Sequence, residues 1–198
     1  VLPAIEKISH QFPEAWISID TYYATVAEAA VRAGATLVND ISGGLMDAKM
    51  LTTVAQLKVP YIIMHMKGTP QTMQENPEYN DVTREVMDYF LERVAACRQA
   101  GITDLILDPG FGFGKNLTHN FTLLKNLQAF QALQLPVLAG LSRKSMVSKS
   151  LQIRTENALN GTTVLNTLAL LNGAFLLRVH DVEEALEAIN LVDIYRKS

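Results

Sequence analysis

Apolar residues along this chain fall into two alternating rhythms. Short β-rich runs occur at residues 16–20, 36–40, 61–66, 104–108, 137–141 and 175–179. Between them, apolar positions recur every three or four residues, the spacing of amphipathic helices. Such stretches cover residues 1–12 (Leu2, Ile5, Ile8, Phe12), 25–33 before a capping Gly34, and 45–57. A long one places Val82, Val86, Phe90, Val94 and Cys97 on one face and ends near Gly101. Three more cover 118–130, 156–171 ending at Gly173, and 182–195. Six strands alternating with helices predict an α/β fold with a parallel sheet.

Where the polar residues sit refines that class. Nearly every β run is apolar and then ends in chemically capable residues: Asp20-Thr21, Asn39-Asp40, His65, Asp108-Pro109-Gly110, Ser142-Arg143-Lys144 and Arg178-Val179-His180-Asp181. Polar residues at the C-terminal ends of many parallel strands suit a (β/α)8 TIM barrel, whose site lies at that face. A doubly wound sheet, the alternative, gathers them near one switch point. No GxGxxG opens a helix and no Walker A sequence is present. No composition shift marks a boundary, so residues 1–198 read as a single domain.

Composition narrows the function. The 198 residues are 48% hydrophobic and carry a formal charge of −3. That balance supports a packed core and offers no basic stripe for nucleic acid. A local cationic pocket for a small anion is compatible with it. A single cysteine, Cys97, fits a reducing compartment, here the cytoplasm. No uncharged apolar stretch reaches the ~18 residues of a membrane span. Glu6 and Lys7 in the first helical pattern argue against a signal peptide. His10 and His119 lack partners at ligand spacing, and the four histidines and one cysteine form no zinc signature.

Each polar cluster admits two readings. Arg178 and His180 alternate onto one face of a strand. Asp181 then opens a helix with a capping-box pattern through Glu184, and a helix end with two cations suits a phosphate or pyrophosphate. The other reading is an Arg paired structurally and a His satisfied by backbone. Ser142-Arg143-Lys144 is either an anion or carbonyl site or a solvated basic turn. Asp20, Asn39 and Asp108 either read adjacent N–H donors of a guanidine-like ring edge or cap the following helices. Their placement on three strand ends favours the first. In Asp108–Lys115 three alternating glycines flank Phe111 and Phe113. These form an aromatic wall for a flat ligand, or they pack onto helices.

Together these segments resemble a known family. In order they are Ile17-Ser18-Ile19-Asp20-Thr21, Val38-Asn39-Asp40-Ile41-Ser42-Gly43-Gly44, Met64-His65-Met66-Lys67-Gly68-Thr69-Pro70, Leu107-Asp108-Pro109-Gly110-Phe111-Gly112-Phe113-Gly114-Lys115, Gly140-Leu141-Ser142-Arg143-Lys144-Ser145 and Arg178-Val179-His180-Asp181. The chain thereby resembles the dihydropteroate synthase family over essentially its whole length. The resemblance implies a TIM barrel and a folate-biosynthesis transferase. Such an enzyme joins 6-hydroxymethyl-7,8-dihydropterin pyrophosphate to 4-aminobenzoate, giving 7,8-dihydropteroate and pyrophosphate. By match of motif, Asp20, Asn39, Met64, Asp108, Lys144 and Arg178 would bind the pterin. Asn39, Arg178 and His180 would hold the pyrophosphate with Mg²⁺, and Phe113 and Ser142 the aminobenzoate. Lys144, Arg178 and His180 would be the catalytic set. Sulfonamides would compete with aminobenzoate. A homodimer is implied, with the helices at 156–171 and 182–195 as interface candidates.

The pattern also departs from the family. The first two βα units are absent from this chain, and with them an Asn-containing segment that supplies a metal contact. Residues 1–12 resemble the end of the second helix, which makes the pterin-binding domain N-terminally incomplete. Ser148 stands where members often carry glycine. Two other functions compete. A methyltetrahydrofolate-binding methyltransferase barrel shares the Asp/Asn/Asp set but needs no pyrophosphate site. An inactive fragment of the synthase is the other, because six strands cannot close the usual barrel and leave open edges.

Overall fold

The computed structural model describes every residue except 70, 72 and 74–76. Pro70, which ends the third motif, therefore lies outside the described residues. The elements run α1 (Leu2–Gln11), β1 (Ser18–Asp20), α2 (Ala24–Arg32), β2 (Leu37–Asp40), α3 (Met50–Leu57), β3 (Tyr61–Met64), α4 (Val82–Ala100) and β4 (Leu105–Asp108). Then come α5 (Leu117–Lys125), a 3-10 segment (Leu127–Leu133), β5 (Leu138–Ala139), α6 (Ser145–Leu151), a 3-10 turn (Thr155–Asn157), α7 (Leu159–Leu171), β6 (Leu176–Leu177) and α8 (Val182–Lys197). All six predicted strands form, but shorter than their apolar runs. The chain divides into two compact units, Val1–His65 with Asp88–Leu107, and Met66–Met87 with Asp108–Ser198.

The first unit is built on a sheet of order β1-β2-β3-β4. β1 runs parallel to β2 with Asp20 opposite Asn39, and β2 runs parallel to β3 with Asn39 opposite Ile62. Every residue of β2 and β3 is buried, as strands covered on both faces require. α2 packs its small residues inward, with Ala27 and Ala30 fully buried. Gly34 follows at φ +114°, and a Cβ there would stand 2.5 Å from Ser9 Oγ. Glycine thus ends α2 both for its backbone angle and for the close approach of α1. On α4 the buried stripe passes through Arg93, 7% exposed, where Val94 was expected. Steps of four residues drift around a helix of 3.6 per turn, and one step of three restores the face.

A buried carboxylate fixes the turn after β2. Asp40 accepts from Ser42 N–H and Ser42 Oγ at 2.7 Å each, from Gly44 N–H at 2.8 Å and from Tyr61 Oη at 2.6 Å. Burial first, and the Asp40 charge second, push the Tyr61 phenol well above its ordinary pKa. Tyr89 Oη donates to Met64 O at 2.7 Å, tying α4 to the end of β3. Tyr61→Phe leaves a buried charge one donor short and is expected to cost about 1–3 kcal/mol. At roughly 2–4 °C per kcal/mol for a chain of this size, thermal denaturation reads the loss. An unchanged melting temperature would show that Asp40 does not need this donor.

The second unit carries β5 parallel to β6, with Leu138 opposite Leu176. Leu170 of α7 packs with Ala188 and Val192 of α8 and with Leu177. α6 is a helix that the apolar pattern does not mark, because only Met146 and Val147 of its seven residues are buried. The predicted capping box of α8 does not form. Asp181 is the N-cap but makes no cap bond, because both its oxygens accept from Arg143, at 2.9 and 2.7 Å. Among the described residues no helix is long and apolar enough to cross a membrane.

Candidate active site

In the first unit the predicted residues stand at the C-terminal ends of adjacent parallel strands. Asp20 ends β1 with an exposed side chain, Asn39 lies in β2 at 7% exposure, and Met64 ends β3 at 3%. Register alone makes Asp20 and Asn39 neighbours. Asn39 Oδ1 is buried and has no hydrogen-bond partner. A buried acceptor left open is costly, so this oxygen is fitted to a ligand N–H or a cation. His65, by contrast, packs edge-on against Tyr89 at 4.9 Å between ring centroids.

In the second unit Asp108, Lys144 and Arg178 form one electrostatic group. Asp108 is 7% exposed and accepts from Gly110 N–H at 2.8 Å. Burial raises its carboxyl pKa, opposed by Lys144 foremost, then by the Gly110 N–H, Lys115 and Arg178. Lys144 ends the turn into α6, and its ammonium donates to Phe111 O at 2.5 Å. Burial lowers the Lys144 pKa, while Asp108 pulls it back up. A buried carboxyl group and a half-buried amine that influence each other suit a heterocycle that offers both donors and a carbonyl.

Gly140, Ser142, Lys144, Arg178 and His180 line a cavity of about 460 Å³, within the usual range of ligand sites. β6 ends at Leu177, but Arg178 N–H still donates to Ala139 O at 3.0 Å. That bond carries the tetrad to the cavity rim. His180 N–H donates to Ser142 Oγ at 3.2 Å, and Oγ lies 2.8 Å from His180 Nδ1. The two contacts together hold the imidazole in one orientation against the serine. Ser142, expected at the aminobenzoate, stands against this histidine.

The structure separates residues that look alike in sequence. Arg143 is not a free rim cation. It is locked bidentately on Asp181 and donates to Glu156 O at 2.9 Å, a pairing that neither reading of that triplet contained. Phe111 is fully buried, whereas Phe113 is half-buried, with Lys144 Nζ 4.9 Å from its ring centroid. The aromatic wall is therefore one ring. His119 forms a capping box with Asn116 at the start of α5. A larger cavity of about 980 Å³, lined by Lys67, Tyr79, Glu85 and His119, has its cation already paired, Lys67 with Glu85 at 2.9 Å.

Lys115 is the residue that sequence reading passed over. It is 3% exposed, and burial lowers its pKa to about 7 against the pull of Asp108. Only its position after a glycine loop could have hinted at this. Among the described residues no group of three His, Cys, Asp or Glu could hold a metal ion.

Comparison with known proteins gives the family. The pterin binding enzyme family matches residues 1–180. The chain is 45% identical over 195 residues to the dihydropteroate synthase of Escherichia coli K12, covering 98% of this chain and 68% of that protein. It is 42% identical over 184 residues to that of Haemophilus influenzae, covering 92% and 66%. A crystal structure of Yersinia pestis dihydropteroate synthase with a sulfonamide drug complex superposes with a TM-score of 0.96 at 39% identity, covering all of this chain and 72% of that one. The Xanthomonas albilineans enzyme in complex with 7,8-dihydropteroate gives 0.92 at 37%, covering all of this chain and 73% of that one. These likenesses assign the fold to the α/β class of the TIM barrel. The chain belongs to the dihydropteroate synthase family of pterin-binding enzymes, transferases of folate biosynthesis.

Proposed function

We propose that this chain condenses 6-hydroxymethyl-7,8-dihydropterin pyrophosphate with 4-aminobenzoate, releasing pyrophosphate and forming 7,8-dihydropteroate. The observation that carries the reading is the second unit's pairing of a buried Asp108–Lys144 couple with an Arg178–His180 cavity. One half suits a donor-rich ring, the other a leaving anion. Asp108 accepts from the ring's N–H edge and Lys144 donates to its carbonyl. Arg178 lies against the ring and, with His180, takes up the charge that develops as the C–O bond to pyrophosphate breaks. In the first unit, Asp20 and Asn39 supply further acceptors for the pterin, and Met64 offers an apolar face. Asn39 also serves the pyrophosphate. Phe113 is the wall against which the aminobenzoate ring lies, and Ser142 keeps His180 oriented beside it. Much of the rate then comes from holding the attacking amine in line with the pterin methylene.

Mg²⁺ belongs to this reading as a companion of the pyrophosphate. It usually takes few protein oxygens, several waters and substrate phosphates. The open Asn39 Oδ1 fits such a contact. When bound, the ion would supply neutralising charge to the leaving group. The ion is part of the same proposal. So are a cytoplasmic location and a homodimer. Supporting the dimer are the exposed Leu186, Leu191 and Ile194 of α8 and Val164 and Leu168 of α7, apolar area that a partner would cover.

Sulfonamide inhibition tests the aminobenzoate pocket. The expected result is competition against 4-aminobenzoate, with apparent KM rising linearly with inhibitor and kcat unchanged. Inhibition competitive only with the pterin substrate would place the sulfonamide elsewhere.

A further inference from the structure

We infer that Lys115 is a positioning residue: from inside the glycine loop it holds Phe113 where the aminobenzoate ring must lie. This rests on the reading of Phe113 given above. The loop from Gly110 to Gly114 has positive φ at all three glycines, so its backbone carbonyls point out of any regular ladder and must find other donors. Side chains supply them. Lys115 Nζ donates to Gly110 O at 2.9 Å and to Phe113 O at 3.1 Å. Lys144 Nζ takes Phe111 O, and Tyr79 Oη takes Gly114 O at 2.8 Å. From α5, Asn120 Oδ1 accepts from Gly112 N–H at 2.7 Å.

Within this set Lys115 alone bridges the two ends of the turn that Phe113 N–H closes onto Gly110 O at 3.1 Å. A buried side chain that bonds both carbonyls fixes the distance between Gly110 and Phe113, and with it the depth of the phenyl ring. Gly114 next to it takes no larger side chain: a Cβ there would stand 2.4 Å from Lys67 O. The Lys115 bridge thus adds to the backbone bond in holding the Phe113 backbone, from which the ring projects. Asp108 and Lys144 face Lys115 electrostatically, and His119 of α5 senses its charge. Even an uncharged amine retains two N–H groups for the two carbonyls, so the bridge does not depend on the proton.

The test uses Lys115→Met in the full-length enzyme, which keeps the volume and removes the donors. KM for aminobenzoate is expected to rise about tenfold, with kcat and the pterin-pyrophosphate KM within about threefold of wild type. Amide exchange at Phe113 should quicken about tenfold, while that at Gly112, held by Asn120, stays slow. Adding K115M to Phe113→Ala should bring no further rise in KM, since the lysine acts through that ring. Where K115M does not fold, Lys115→Gln keeps a donor of shorter reach and is expected to give a smaller shift in the same direction. Unchanged exchange at Phe113 overturns the bridge. Equal losses for both substrates, or additivity with F113A, make Lys115 a general structural residue and overturn its positioning role. Should F113A alone leave the aminobenzoate KM unchanged, the reading of Phe113 fails, and the exchange rates still decide whether Lys115 holds the loop.

Discussion

Asp108→Asn is expected to lower kcat/KM by about 10²- to 10³-fold while the protein stays folded. Asparagine keeps the shape of the side chain, and its Oδ1 can still accept from Gly110 N–H, which lies 2.8 Å from the native carboxylate. What disappears is the second acceptor and the negative charge. In its place an NH₂ group confronts the N–H edge of the pterin, so two donors face each other in a site that excludes water. A pocket built to bond a polar edge penalises the mismatch strongly. Stability should move much less. Burial already works against the Asp108 charge, so neutralising it removes a desolvation cost along with the attraction to Lys144, Lys115 and Arg178. Steady-state kinetics with a denaturation curve separates the two effects. Near-normal turnover in D108N would remove Asp108 from pterin recognition.

Lys144→Ala is expected to cost about 10²- to 10³-fold in kcat/KM, the scale of losing one aimed donor in a desolvated site. It should also leave a second mark. Lys144 is the foremost influence holding the buried Asp108 carboxyl down against desolvation. Without it the Asp108 pKa rises further above its ordinary value. The carboxylate is the form that reads the pterin, and it is lost as pH falls through that pKa. The acid limb of the kcat/KM profile should therefore move to higher pH in K144A. A loss of rate with an unmoved acid limb would mean that the two side chains act on the substrate independently.

Much of this candidate site is legible in the sequence because polar groups at strand ends interrupt apolar runs. Asp20, Asn39 and Asp108 stand out for that reason, and every strand end except that of β5 falls where the polarity changes. Strand lengths were less legible. The apolar run at 137–141 continues past the last paired residue, so only Leu138–Ala139 counts as strand. Long-range pairing was not legible at all. Nothing local says that Arg143 will be taken by Asp181, 38 positions away, or that the adjacent Lys144 will stay available. Phe111 and Phe113 share a repeating Gly-Phe pattern, and only tertiary packing makes one core and the other wall. Lys115 shows the same limit more sharply. A lysine after a glycine loop reads as solvated, and its burial follows from carbonyls turned inward by glycine backbone angles.

The proposed reaction is a one-for-one exchange of pyrophosphate for an aryl amine on the pterin methylene. The most direct measurement incubates the enzyme and Mg²⁺ with dihydropterin pyrophosphate and isotopically labelled 4-aminobenzoate, and quantifies both products. One labelled dihydropteroate per pyrophosphate released, with neither formed when aminobenzoate is withheld, is the predicted result. Pyrophosphate release without labelled product, or methyl transfer from methyltetrahydrofolate in its place, would contradict it.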